Sequence, residues 1–453
     1  MGSDVNKVSA GRSDSPKPGL PDWAVVFGAF QIGYFFCFAT DPSVAISEDW
    51  LKFYRPNLHF LFVNLGNVEI PWWNPHVGLG RPFVSDLQNA VFYPPTYLLA
   101  LGETAGLHLS LNLHLFGALL GTRRLAGSLG ARPAMAWLAG FALVFSGPYS
   151  GLLYRGMIFY VFGLCYLPWL MLILLRAGPF WNGRLVAAFG TVLALQFLTG
   201  HPQVFWISAV GLGLFVISWK LLDRDRRSVK GVGMPLLQMA AGAGVAVALT
   251  AVAWLPFLDL IAEGNRAEAT PGQAAFGTSR LIYLYSLFCI PPYEFLVNAA
   301  GNWFIGATWT LTGLAGWLTT RDPRLRALLV VSAFALVFSF GDKTFLHGLC
   351  YELLPGTSMF RFPIRMSVWL AFALVLTGSV FLSRPASLDL LLQRLAGPFG
   401  LLLGALLIGF RLMDGQATLQ PLWQPVIFLL AGTAVILLGH TEAPCRRHLP
   451  LAL

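Results

Sequence analysis

Charge is scarce in this chain. Only 11% of its 453 residues are Asp, Glu, Lys or Arg, whereas a soluble domain carries roughly 25%. A solvated globular surface cannot be built from so little charge. Cysteine is scarce too. The five present (Cys37, Cys165, Cys289, Cys350 and Cys445) show no spacing suited to a metal or redox site. Cys37 and Cys165 fall in apolar runs and read as small hydrophobes. Ten-residue blocks of alternating polarity are missing, which argues against a membrane β-barrel. No repeat recurs at a fixed period. The first twenty residues lack an apolar stretch, so they read as a short disordered tail rather than a signal peptide.

What is abundant is apolar surface. Hydrophobic residues make up 56% of the chain, and the mean hydropathy is +0.66. Apolar runs near the ~20 residues needed to cross a bilayer recur throughout. Backbone polar groups inside lipid must be satisfied within the segment, so these runs predict helices. The reading is an all-α polytopic membrane protein of about twelve spans. They fall near 23–40, 107–126, 134–152, 158–176, 185–200, 203–221, 235–258, 303–319, 327–340, 366–383, 396–412 and 422–440. One transmembrane domain, 23–440, then lies between tails at 1–22 and 441–453. With both tails cytoplasmic, 20 of the 30 basic residues face the cytoplasm, the bias that sets membrane orientation. The segment DRDRRSVK (223–230) is its clearest anchor. The net charge of +9 is therefore a topology signal and does not point to nucleic acid.

Thirteen of the 21 acidic residues fall on the opposite face. Three long outer segments lie there: 41–106, 259–302 and 341–365. Long connections that are neither low-complexity nor charge-rich are usually functional. The first holds Asp41, Glu48, Asp49 and Asp86 among Trp, Phe, Tyr, Pro and Gly. Its aromatics suit the membrane interface, and it is expected to contain surface-lying helices. Its prolines and glycines imply a fixed path. The stretch IYLYSLFCIPPYEFLV (282–297) reads as a second surface-lying segment, flanking a lipid groove or simply packing at the interface.

Two stretches of the first outer segment, EDWLKFYRPN and IPWWNPHVGLGRPFVSDLQNAVFYPP, resemble the bacterial YfhO-type membrane protein family. That family is similar to the GT-C class of polyprenyl-dependent glycosyltransferases. Three later stretches fit in the same order: LTGHPQ (198–203), NWFIGATWTL (302–311) and LLPGTSMFRFPIRM (353–366). The resemblance covers about residues 41–383. It implies a GT-C-like fold in a bacterial inner membrane. It also implies transfer of a sugar from a polyprenyl-phosphate carrier, with inversion, to a cell-envelope acceptor on the non-cytoplasmic face. Membrane lipids would be partners and nucleic acid would not.

Such an enzyme needs a base for the acceptor hydroxyl and cationic donors for the leaving phosphate. The resemblance implies that the base lies just after the first span. Asp49 matches the family's Asp…Tyr-x-Pro spacing through Tyr54 and Pro56, with Glu48 and Asp41 as rivals. Asp86 is the second acid, orienting the acceptor, joining a metal site, capping a helix or pairing with an arginine. Arg361 and Arg365 are the phosphate candidates, since guanidinium groups suit bidentate phosphate binding. Four residues apart, they would share a helix face, although Pro363 between them favours an extended path that turns helical afterwards. They could equally serve outer acids or lipid headgroups. Arg280 and Arg155 are weaker candidates on the same side. His201 and Gln203, with Asn74, Gln88 and Tyr54, complete the expected substrate-binding set. His201 could instead cap a helix junction. Asp49 and Asp86 could hold Mg or Mn, because carboxylate oxygens suit hard cations. The remaining outer histidines, His59, His76, His108, His114 and His347, give no clean ligand spacing.

Two other readings compete. A transporter or flippase would place ionisable groups at mid-membrane and show internal repeats, and neither is evident. A non-catalytic lipid-binding subunit would lack the candidate residues, which are present.

Overall fold

The computed structural model describes residues 21–39, 47–102, 104–223, 229–262, 270–277, 286–287 and 303–384. The expected spans at 396–412 and 422–440, both tails but for residues 21 and 22, Asp41, Arg280 and most of 282–297 lie outside these residues. The chain divides into a short unit, 1–41, and a main unit, 42–453. In the first, α1 (Pro21–Tyr34) continues as a π-helical turn over Phe35–Ala39. Phe30, Tyr34 and Phe38 line one side of it, their rings tilted to one another with centres 6.1 and 5.7 Å apart.

The main unit is almost wholly helical. Its first segment carries a π-helical turn, Trp50–Tyr54, that runs into α2 (Arg55–Gly66). A two-residue hairpin follows, β1 (Trp73–Asn74) against β2 (Arg81–Pro82), antiparallel with Asn74 opposite Arg81. Two 3-10 helices, Leu87–Asn89 and Pro94–Leu101, complete it. Then come α3 (Ala105–Ser128), α4 (Pro133–Val144), α5 (Gly147–Tyr154), α6 (Ile158–Cys165), α7 (Leu167–Leu174), α8 (Gly183–Leu198) and α9 (Pro202–Leu222). After them are α10 (Val229–Leu249), α11 (Ala251–Ala262), α12 (Pro271–Ala274), α13 (Ala307–Thr319), α14 (Pro323–Ser339), α15 (Phe345–Leu353) and α16 (Val368–Leu382). Proline sits in the first turn of α4, α5, α7, α9 and α14, where its missing N–H costs nothing.

Among the described residues, four helical stretches are long and apolar enough to cross a membrane: Pro133–Tyr154, Pro202–Leu222, Gly231–Leu249 and Pro363–Leu382. The chain is an all-α membrane protein at this level. The expected spans differ in detail. The span at 235–258 is broken at Thr250 into α10 and α11. The one at 158–176 is broken at Tyr166, just ahead of Pro168. With 13 and 17 residues, α13 and α14 reach only about 20 and 26 Å, short of the ~30 Å hydrocarbon core.

Helix α16 is the buried centre, with every residue from Val368 to Phe381 enclosed. It packs along α13, α14 and α4, while α8 runs beside α10 and α3 beside α4. Glycine makes the closest approaches possible. A methyl group on Gly313 would lie 2.6 Å from the Leu374 carbonyl, and one on Gly378 2.7 Å from the Thr312 hydroxyl. Such small-residue faces let helices associate where lipid supplies no hydrophobic drive between them.

The connections between helices are tied in two sets. In one, Arg324 donates to the Ser128 carbonyl, the Arg132 amide to Ser383 Oγ, Lys220 to the Ala177 carbonyl and Gln238 to the Gly178 carbonyl. These join residues expected on the cytoplasmic side. The other set joins the first segment to the 155–157 and 199–203 turns, which in turn hold the 361–365 segment.

Candidate functional site

Asp49 sits at the start of the π-helical turn, between exposed Glu48 and buried Trp50. Its amide donates to the Arg155 carbonyl at 3.1 Å. Gly156 follows with φ +73°, and a methyl group there would lie 2.6 Å from the Trp50 amide nitrogen. The 155–157 turn therefore lies against residues 47–50 in a contact that needs glycine. Glu48 accepts from Lys52 at 2.7 Å and has Arg155 Nη1 at 3.7 Å. Those cations hold its carboxyl below the usual range. Asp49 behaves oppositely. Burial pushes its carboxyl up, Glu48 adds to that, and Arg155, Arg365 and Lys52 oppose it. Of these two adjacent acids, Asp49 is the more basic, because desolvation disfavours its charged form.

The turn between α8 and α9 closes on this segment. Gly200 has φ +82°, and a side chain there would collide with the Leu87 carbonyl. The next residue, His201, is bonded through Nε2 to the Tyr54 hydroxyl at 2.6 Å. Both are nearly enclosed, at 5% and 4% exposure. Burial, with Arg365 adding to it, pushes the His201 imidazole down to about 3, so the ring is neutral. Tyr54 and His201 use each other as partners, and Asp49 precedes Tyr54 by five residues, at the start of the turn that Tyr54 ends.

Arg361 and Arg365 part company. The chain is extended through Arg361, Phe362 takes the left-handed conformation at φ +63°, and a 3-10 turn runs from Pro363 to Ser367. The expected shared helix face is therefore absent, for the reason Pro363 suggested. Phe362 is held in its strained shape by its amide, which donates to the Phe276 carbonyl at 2.6 Å. Gly277 leaves the room its ring needs. Arg361 is exposed, with its guanidinium 5.9 Å from the Phe276 ring centre. Arg365 turns inward between the rings of Tyr160 and Phe362, at 4.8 and 4.6 Å. Gln203 braces the segment. Its Nε2 donates to the Arg361 carbonyl and its Oε1 accepts from Arg365 Nη1, both at 2.6 Å.

Among the described residues, Arg365 Nε has no hydrogen-bond partner. Arg365 Nη2 rests on the Met157 sulfur at 3.4 Å, a weak acceptor. Nε and Nη2 form one edge of the guanidinium, the edge that grips an oxyanion with two parallel bonds.

The other expected site residues serve local structure. Asp86 caps the Leu87–Asn89 turn by accepting from the Gln88 amide at 3.0 Å, and it pairs with Arg81. Gln88 joins the site through its backbone, which abuts Gly200. Asn74 is buried in the hairpin, where its oxygen accepts from the His76 amide at 2.9 Å. Guanidinium groups lie near Asp49 and pair with Asp86. Among the described residues no group of three or more His, Cys, Asp and Glu gathers as a metal site. His114 belongs to a separate buried cluster, bonded to Tyr93 and stacked 3.7 Å from Phe162.

Tyr160 and Met157 were not legible in the sequence as site residues. Tyr160 looks like any core aromatic opening a span. The Arg155-Gly156 pair at a span junction was the available hint. Compared with known protein families and with curated proteins, the chain matches none.

Proposed function

We propose that this protein is a GT-C-like glycosyltransferase of about twelve spans. It would move a sugar from a polyprenyl-phosphate carrier to a cell-envelope acceptor on the non-cytoplasmic face of a bacterial inner membrane. The observation that carries this reading is the unpartnered Nε of Arg365, in electrostatic reach of the half-buried Asp49 carboxylate. Segments more than 300 residues apart in sequence supply these two groups, and the 155–157 and 199–203 turns hold them in place.

In this reading the phosphate of the donor lies on the Arg365 edge, with Arg155 adding positive charge. The acceptor hydroxyl oxygen attacks the anomeric carbon from the face opposite the phosphate. As the new carbon–oxygen bond forms, the hydroxyl proton passes to the Asp49 carboxylate. The bond from the anomeric carbon to the phosphate oxygen breaks, and its electron pair leaves with polyprenyl phosphate. Charge that develops on that oxygen meets a guanidinium already oriented by Gln203, so little reorganisation is needed. The sorting of loop contacts into two sets supports the assignment of two faces.

The test is transfer of a labelled sugar from its polyprenyl-phosphate carrier. Asp49→Asn is expected to lower the rate by roughly 10²–10⁴-fold, the usual contribution of a general base. Arg365→Gln is expected to impair transfer and donor binding together. Full transfer by both variants overturns the reading. A non-catalytic lipid-binding subunit is favoured by the engagement of Glu48 and Asp86 in ion pairs. Donor binding by wild type and Asp49→Asn alike, with no transfer by either, would establish it.

A further inference from the structure

We propose that Tyr160 is a ligand-binding residue whose hydroxyl, together with the Nε–Nη2 edge of Arg365, holds the oxygens of one lipid-linked phosphate. The proposal rests on the transferase reading and adds a donor to its phosphate site. Tyr160 lies in the first turn of α6 and is 1% exposed. Its ring has a packing role, facing the Arg365 guanidinium at 4.8 Å and the His201 ring at 5.3 Å. Phenylalanine would serve that role equally well. The hydroxyl, however, has no hydrogen-bond partner among the described residues. Buried tyrosine hydroxyls usually have one. An unpaired one is a standing cost unless a ligand uses it.

The surroundings favour an oxyanion. Arg365 cannot easily swing away, because Gln203 fixes Nη1 and two rings flank the guanidinium plane. Its unpaired Nε points along the edge suited to two phosphate oxygens. The Tyr160 ring lies 4.8 Å from the same guanidinium. Ser47 Oγ is a third buried polar atom without a partner among the described residues. It lies beside Gly156, in the turn that also carries Arg155 and Met157. Unpaired polar atoms from three separate segments thus gather around the start of α6.

The full-length protein in nanodiscs would be titrated with a short-chain polyprenyl phosphate, with the matching polyprenol and with inorganic phosphate. Wild type and Tyr160→Phe are compared. Tyr160→Phe is expected to bind polyprenyl phosphate roughly tenfold or more weakly, the size of a lost hydrogen bond to a charged group. Its polyprenol binding should not change. Its unliganded Tm should not fall, because the hydroxyl removed was unpaired. Unchanged affinity for polyprenyl phosphate overturns the proposal. So does a fall in unliganded Tm, which would give the hydroxyl a structural partner. Weakening confined to inorganic phosphate overturns the lipid-linked assignment. If wild type does not prefer polyprenyl phosphate to polyprenol, the transferase reading fails as well. A wild-type preference that Tyr160→Phe retains in full overturns the Tyr160 proposal alone.

Discussion

Adjacent carboxylates can be given opposite properties by a few ångströms of burial. Glu48 is exposed and clasped by Lys52, so it stays ionised and engaged. Asp49 points into a half-buried site where desolvation outweighs the arginines around it. A base must be ionised to act, so transfer should rise with pH through a pKa above the ordinary aspartate range. Arg155 lowers the Asp49 pKa, so removing its charge raises that pKa further. Arg155→Gln is therefore expected to move the acidic limb of the pH–rate profile to higher pH, while the backbone bond from the Asp49 amide survives. A limb that stays in place would mean that Asp49 is not the titrating base. The choice between Asp49 and Glu48 was open in the sequence because spacing alone cannot tell an exposed acid from a desolvated one.

The elements that matter most here are turns rather than helices. Two of them are glycine-dependent. Gly156 brings Arg155 against the Asp49 turn, and Gly200 brings His201 against Tyr54. Gly200→Ala is expected to destabilise the protein by roughly 1–3 kcal/mol, since alanine must adopt a strained conformation as well as displace the Leu87 carbonyl. Thermal unfolding of the purified variant reads this directly, and an unchanged Tm would show that the turn adapts. The Gly-His-Pro-Gln sequence signalled a junction of this kind. It did not reveal the division of labour within it. His201 holds the Asp49 turn through Tyr54, while Gln203 holds both the backbone and the guanidinium of the 361–365 segment. Pro363 likewise signalled a break, and the structure adds the left-handed Phe362 that separates the two arginines.

At the scale of the whole molecule, buried α16 organises the helices, and the loop ties form two sets. The orientation read from the basic residues predicts opposite labelling at the two ends. With native cysteines replaced, Leu79→Cys should react with a membrane-impermeant thiol reagent on intact cells. Ser128→Cys should react only after permeabilisation. Both positions are exposed, so accessibility to the reagent would not limit either. The reverse pattern would invert the assignment and place the Asp49 site in the cytoplasm.

The sequence by itself determined the solvent and the class of structure. Little charge and recurrent apolar runs require a helical membrane protein, since lipid offers the backbone no other partner. It also marked the chemically loaded segments, because acids, arginines, prolines and glycines stand out against an apolar background. What only the tertiary structure decided was which of those groups meet. Arg365 turns inward and Arg361 outward, Asp49 meets Arg155, Tyr54 meets His201, and Tyr160 joins the site although no motif marks it. These outcomes depend on burial, backbone handedness and contacts between residues more than a hundred positions apart. No local pattern in a chain encodes them.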